Sequence, residues 1–324
     1  MSSQIQAGPA APAAGPARAP LTKKPRNKLR KRVEIAAFAG PALIVYVSFV
    51  FVPVILAAYY SFFNWNGLSA LDNFVGFDNY ERVLTDPVFH GAVQHNFIIL
   101  GLSLLIQGPL ALGIALLLNR RIRGRTLLRV LIFVPYVLSE VIAGLAWALI
   151  LQPHGPFDAV MEAIGLGGLR QLWLADPGMA LWTLFGVLTW KYLGLAIILF
   201  LAGLQGVPEE LTEAASIDGA NWWQIQWRIT VPLLGPTIRI WAFLSIIGSL
   251  QLFDMVWILT GGGPLNSTTT MASYMVLYGL NRSQVGFGSA VAVVLFFISL
   301  TVALLYQRFA LRRDLAGALT SRTQ

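Results

Sequence analysis

Six apolar runs, each near or above the length that spans a bilayer, decide what this chain can fold into. They lie at about residues 35–63, 94–118, 128–151, 179–205, 236–260 and 286–310. A hydrocarbon layer of about 30 Å requires about 20 helical residues at 1.5 Å each. Inside lipid, every backbone polar group must find a partner within the protein, so each run is expected to be helical. The predicted fold class is an all-α membrane protein with six transmembrane helices. Gly108-Pro109 predicts a kink in the second.

Composition agrees. Hydrophobic residues make up 56% of the 324 and charged residues 12%, about half the charge usual in a soluble domain. Cysteine is absent, which excludes disulfides, zinc–thiolate sites and thiol catalysis. His90, His95 and His154 are too few and scattered for a metal site. No cofactor or metal is expected on this chain, and no catalytic residues. The net charge of +8 would suggest nucleic acid for a soluble protein. Here the basic residues flank the apolar runs, so the expected partner is a lipid bilayer and not nucleic acid.

The domain reading follows. Residues 1–32 are expected to be a disordered basic cytoplasmic tail, rich in Ala, Pro and Gly before the cluster from Lys23 to Arg32. Residues 33–312 form the membrane domain, and 313–324 a short cytoplasmic tail. The first run is too long for a signal-peptide core and reads as a retained span. Of the 23 Lys and Arg residues, only Arg82, Arg170, Lys191 and Arg282 fall away from the side holding both tails, the loop at 119–129, Arg228 and Arg239. That bias makes this side cytoplasmic, with both termini on it.

The stretch at about 206–234, between spans 4 and 5, has its own pattern. Pro208 suits a helix first turn, and Glu209, Glu210 and Glu213 favour its N-terminal end. Gly219 permits either a turn or a close approach. A second short helix is expected at about 221–230, ahead of Pro232. A helix lying on the membrane surface usually carries Lys and Arg. The acids here suit a protein partner better, though both readings stay open.

Glu213-Ala214-Ala215, three residues, Gly219, nine residues, then Ile229-Thr230-Val231-Pro232 resembles the EAA motif of ATP-binding-cassette importer permeases, with Val231 in place of the usual Leu. Ser61 to Gly67, Pro135-Tyr136, Leu201 to Gln205, Phe253-Asp254 and Leu259 to Pro264 resemble the carbohydrate-uptake branch of these binding-protein-dependent, MetI-like permeases. The resemblance covers about residues 35–312. It implies a multi-pass protein of the bacterial plasma membrane that forms half of a sugar-translocating pore. The likeness further implies a second, related permease as a heterodimeric partner, two ATPase subunits and an extracytoplasmic sugar-binding protein. ATP and Mg would sit on the ATPase, since no G-x-x-x-x-G-K-[ST] occurs here. The EAA segment would be the coupling loop, with Glu213, Ala214, Ala215, Gly219, Ile229 and Pro232 as its docking residues.

Polar groups within spans mark a substrate path or a structural partner. Span 3 offers Tyr136 and Glu140, four apart on one face. Span 4 offers Lys191 and Tyr192, and span 5 offers Ser245, Ser249, Gln251 and Asp254. By resemblance to the maltose-type permease, sugar-contacting positions fall at Tyr136, Glu140, Ser245, Ser249 and Leu252, and near Tyr192 and Leu195. Glu140 and Lys191 equally suit an interhelical ion pair, Asp254 a brace at the span exit, and Ser245 with Ser249 a small-residue packing seam. Trp147, Trp190 and Trp257 suit either sugar stacking or interface anchoring. A stand-alone secondary transporter is the competing function. It would leave the EAA segment without a role, and no internal repeat of the kind common in such carriers is evident.

Overall fold

The computed structural model describes residues 28–120 and 123–311. Most of the expected 1–32 tail and all of the 313–324 tail lie outside the described residues. Lys28–Arg32, however, already belong to a helix. The chain divides into two units, residues 1–54 and 55–324. The described part of the first is helical and carries a π turn at Val47–Phe51, with Tyr46 edge-on to Phe51 at 5.5 Å.

Among the described residues, four helices are long and apolar enough to cross a bilayer: α1 (Arg32–Tyr60), α3 (Pro87–Leu118), α7 (Pro177–Leu204) and α13 (Val285–Ala310). Two bent pairs raise the count to six. These are α4 (Arg125–Val137) with α5 (Glu140–Ile150), and α9 (Trp222–Leu233) with α10 (Gly235–Leu250). Shorter helices complete the chain: α2 (Asp78–Thr85), α6 (Pro156–Ala163), α8 (Glu209–Ile217), α11 (Asp254–Leu259) and α12 (Met271–Leu280). No strand is present among the described residues, only the isolated bridge between Phe63 and Phe74.

Three expectations about the spans are corrected. Span 3 is not one helix: α4 and α5 meet at 96°. Leu138 and Ser139 both take extended backbone, ψ 143° in each case. Span 5 does not run to residue 260, because α10 ends at Leu250 and α11 starts only at Asp254. The irregularity expected at Gly108-Pro109 falls in the preceding turn, Ser103–Gln107, which is a π turn. Pro109 has no N–H to give the carbonyl four residues back. The Gly108 N–H reaches five residues back, to the Ser103 carbonyl, and the helix continues.

Within the second unit, α7 is the central helix, with α3 and α4 packed along it. Two glycines permit close approaches between helices. A Cβ on Gly194 of α7 would stand 2.3 Å from the Ile132 carbonyl oxygen, so α4 and α7 touch backbone to backbone. A Cβ on Gly108 of α3 would stand 2.3 Å from the Trp241 ring of α10. The buried core falls into three clusters. One joins α3, α7 and α10 around Phe200 and Trp241. Another joins α2, α3, α10, α12 and α13 around Phe89, Tyr274 and Phe287. The third joins α3, α5, α7 and α11 around Leu184, Met255 and Val256.

Candidate functional site

Spans 2, 4 and 5 enclose a cavity of about 210 Å³. From α7 it is lined by Phe185, Leu188, Tyr192, Leu195 and Leu199, and from α10 by Trp241, Leu244, Ser245 and Ser249. Leu252 closes the break after α10, and Ile99, Ser103 and Gln107 come from α3. Five of the expected path residues therefore share one cavity: Tyr192, Leu195, Ser245, Ser249 and Leu252. Ser245 Oγ donates to Ser103 Oγ at 2.8 Å, and Ser103 Oγ donates to Gln107 Oε1. This polar relay ties α10 to α3 across an otherwise apolar wall.

Replacing Gly108 by valine is expected to push the Trp241 ring off its seat and into this cavity. In the transport role that the resemblance implies, uptake should fall at least about tenfold, the scale of a barrier raised by about 1.4 kcal/mol, while the protein still purifies. An uptake assay on reconstituted protein checks it. Unchanged uptake would show that Trp241 does not shape the path.

A second cluster adjoins the first through Tyr192, whose hydroxyl donates to Glu140 Oε1 at 2.8 Å. Tyr136 lies edge-on to the Tyr192 ring at 6.4 Å. Lys191, 2% exposed, turns its ammonium to the end of α4. It donates to the carbonyls of Pro135 and Tyr136 at 3.1 Å each, and to that of Leu138. Glu140 Oε1 lies 3.7 Å from the same nitrogen. A buried ammonium finds its required partners this way, and it complements the negative C-terminal end of α4. Lys191 is thus the clamp of the 96° bend and does not line the cavity. Glu140 Oε2, by contrast, is buried without a hydrogen-bond partner.

The remaining expected positions are placed elsewhere. Gln251 and Asp254 are exposed at the break between α10 and α11, outside the cavity wall. Trp147 and Trp190 meet edge-to-face at 5.3 Å, and Trp257 stacks on Phe253 at 5.5 Å. None of the three lines the cavity, whereas Trp241 does.

Three residues of the second span went unread in the sequence. Asn96 is fully buried. Its amide nitrogen donates to the Ser249 carbonyl at 2.6 Å, and its oxygen accepts the Met271 N–H at 2.9 Å. Asn96 thereby caps the end of α10 and the start of α12 together. Ser103 and Gln107 are the other two. The signal was present in all three cases as a polar residue inside an apolar run. Outside the spans, burial, followed by the 2.6 Å hydrogen bond to Asp86, pushes the Tyr274 phenol above its ordinary range, so it stays a donor.

The segment between α7 and α10 forms two helices, as expected. Pro208 sits just before α8 and not within its first turn. The end of α8 is closed by two hydrogen bonds, Gly219 N–H to Ser216 O at 3.1 Å and Ala220 N–H to Ala215 O at 2.9 Å. This termination needs a left-handed residue, and Gly219 has φ +83° with nothing within 4 Å of where a Cβ would be. Gly219 therefore serves the turn, and no described residue of this chain approaches it closely. Asn221 and Gln224 then form a reciprocal cap that opens α9. The Arg120 guanidinium covers the Trp222 ring at 5.4 Å, joining this segment to the loop after α3. Glu213, Ala214, Gly219 and Pro232 are exposed, Ala215 and Ile229 half-buried. Glu213 has no partner among the described residues.

A helical chain with up to six crossings, a cavity among its spans and an exposed short helix, α8, between α7 and the bent pair α9–α10 is a multi-span membrane transport component. The family defined as "binding-protein-dependent transport system inner membrane component" matches over residues 107–314. The chain belongs to this family. It is 38% identical over 258 residues to the multiple sugar-binding transport system permease MsmF of Streptococcus mutans, covering 79% of this chain and 88% of that one. It is 32% identical over 281 residues to the diacetylchitobiose uptake permease NgcF of Streptomyces coelicolor, covering 83% and 80%. The fold is also that of a chain in a bacterial alginate ABC transporter solved in complex with an alginate pentasaccharide-bound periplasmic protein. The TM-score is 0.77 at 23% identity, over 88% of this chain and 96% of that one.

Proposed function

We propose that this chain is the permease subunit of an ATP-driven, binding-protein-dependent importer of di- or oligosaccharides. It forms half of the pore and docks a separate ATPase through α8. The observation that carries the coupling role is Glu213: an exposed, unpartnered carboxylate on a helix closed at its C-terminal end by Gly219, at the spacing of the EAA motif. Ala214, Ala215 and Gly219 keep that face small, so a cleft can close around it, and Glu213 is poised to pair with a basic residue there. Ile229 and Pro232 set the exit of the segment toward α10. In this reading both termini and the segment at 206–234 face the cytoplasm. The complete importer adds a second, related permease, two ATPase subunits and a sugar-binding protein delivering from outside, in the plasma membrane of a bacterium.

The sugar assignment is supported by the relatives, whose names carry multiple sugars, diacetylchitobiose and trehalose/maltose. It is supported as well by the cavity, where the hydroxyls of Ser103, Tyr192, Ser245 and Ser249 and the Gln107 amide are set in an apolar and aromatic wall. Glu140, hydrogen-bonded to the cavity-lining Tyr192, supplies a further acceptor for sugar hydroxyls once its enclosed Oε2 is uncovered. Gentle solubilisation of a tagged chain from its native host should co-purify an ATPase, a second permease and a sugar-binding protein. Glu213→Ala should then cut binding-protein-stimulated ATP hydrolysis about tenfold or more, the worth of one charge-assisted hydrogen bond. A solitary protein with no ATPase attached would support a secondary transporter instead.

A further inference from the structure

Resting on the sugar-importer reading, we infer that Gln107 of α3 is a specificity-determining residue of the pore, donating its amide N–H groups to a hydroxyl or acetal oxygen of an uncharged sugar ring. Gln107 is only 7% exposed, yet it lines the cavity. Its acceptor is already used, because Ser103 Oγ donates to Gln107 Oε1 and Ser245 Oγ donates to Ser103 in turn. The amide nitrogen has no partner among the described residues. The nitrogen is open to the cavity, so its two N–H donors are available to whatever acceptor occupies that space.

Local structure explains why the side chain points there. Gln107 closes the π turn that precedes Pro109. A π turn shifts the helical register, so the residues at its end face a direction that a regular helix would not give them. The relay fixes the amide in one orientation, oxygen toward Ser103 and nitrogen outward. The result is a donor with a set direction in a wall of apolar groups, which is how small-molecule sites gain selectivity.

The ligand class follows from charge. No lining residue of the cavity is ionised, and the Tyr192 hydroxyl that faces it is already donated to the Glu140 carboxylate. An anionic sugar would enter without a cation to meet it and beside a carboxylate. A neutral ring offers the Gln107 amide an oxygen at no such cost.

The complete importer, reconstituted with its ATPase, partner permease and binding protein, tests this. Uptake is measured for maltose, trehalose and diacetylchitobiose, with an alginate trisaccharide as the anionic probe. The wild-type protein should carry a neutral sugar and not the trisaccharide. Gln107→Met keeps the size and removes both donors. It should slow saturated uptake about tenfold, the worth of one hydrogen bond, and reduce discrimination against the deoxy analogue of the transported sugar. Ser103→Ala, a milder change, should free the amide to rotate and slow uptake about threefold within the same range. Wild-type rates in both variants overturn the inference. Should Tyr192→Phe slow uptake while Gln107→Met does not, the role of Gln107 alone falls. If neither changes uptake, the cavity is not the path. Import of only the alginate trisaccharide overturns the neutral-ring class, and import of none of the four overturns the importer reading itself.

Discussion

Lys191→Met is expected to lower the stability of the purified protein by about 3 kcal/mol or more, the cost of removing one partner from a buried charge pair. The ammonium serves three carbonyls at the end of α4 and faces Glu140 at 3.7 Å. Methionine fills the same space and makes none of these bonds. The carbonyls of Pro135, Tyr136 and Leu138 then lose the donor that Lys191 supplies, and each orphaned group adds to the cost. Thermal unfolding in detergent should report a drop of several degrees. Adding Glu140→Leu should recover part of it, because a buried pair replaced on both sides by apolar groups loses little. The carbonyls stay unpaired, so recovery should be incomplete. An unchanged unfolding temperature for Lys191→Met would show that the bend between α4 and α5 stands without its clamp.

The second large effect belongs to Gly194. Valine there puts a Cβ 2.3 Å from the Ile132 carbonyl oxygen and 3.1 Å from Phe133 Cα. Both are backbone atoms, so no side-chain rotation relieves the clash. Either α4 and α7 separate along their seam or the variant does not fold. We expect a cost of about 3 kcal/mol or more, read as loss of the monodisperse peak in gel filtration. Gly186, on the same helix, has nothing within 4 Å of where a Cβ would stand and provides the control. Gly186→Ala should be tolerated and slightly stabilising, since alanine is the better helix former. Equal behaviour of the two variants would sink the argument.

What the sequence made legible was set by the physics of single helices. Hydropathy located the six candidate crossings, because the need to pair every backbone group in lipid leaves a long apolar run one conformation. The segment at 206–234 was legible for a different reason. Pro208, Gly219 and Pro232 act within a few positions of themselves, so two short helices could be expected, while the turn at Gly219 and the Asn221 cap were given by the structure. The break in span 3 was not legible in the same way. Pro135 lies within α4 without breaking it, and the chain turns only at Leu138 and Ser139, neither a residue that ends helices by itself. The partner that stabilises the turn, Lys191, comes from a different helix far along the chain. Likewise Asn96 serves carbonyls and an N–H from two other helices. Such pairings are tertiary facts, and a sequence registers them only as a polar residue where hydropathy would exclude one. Span 5 read as too long because the residues of the break, Gln251 to Phe253, lie between two apolar helices and barely lower the hydropathy.

The right-angled joint between α4 and α5 changes what the third span can transmit. A straight span is a strut, and a stroke along its axis at one end emerges as the same stroke at the other. Two arms meeting at 96° behave as a bell crank. A push along α4 arrives at α5 as a sideways sweep, with the Lys191 ammonium as the pivot pin. The middle of α5 presses on α11, where a Cβ on Gly144 would lie 2.7 Å from Ile258. A small axial displacement of α4 is therefore delivered laterally, to α11, and not along the direction in which it was applied.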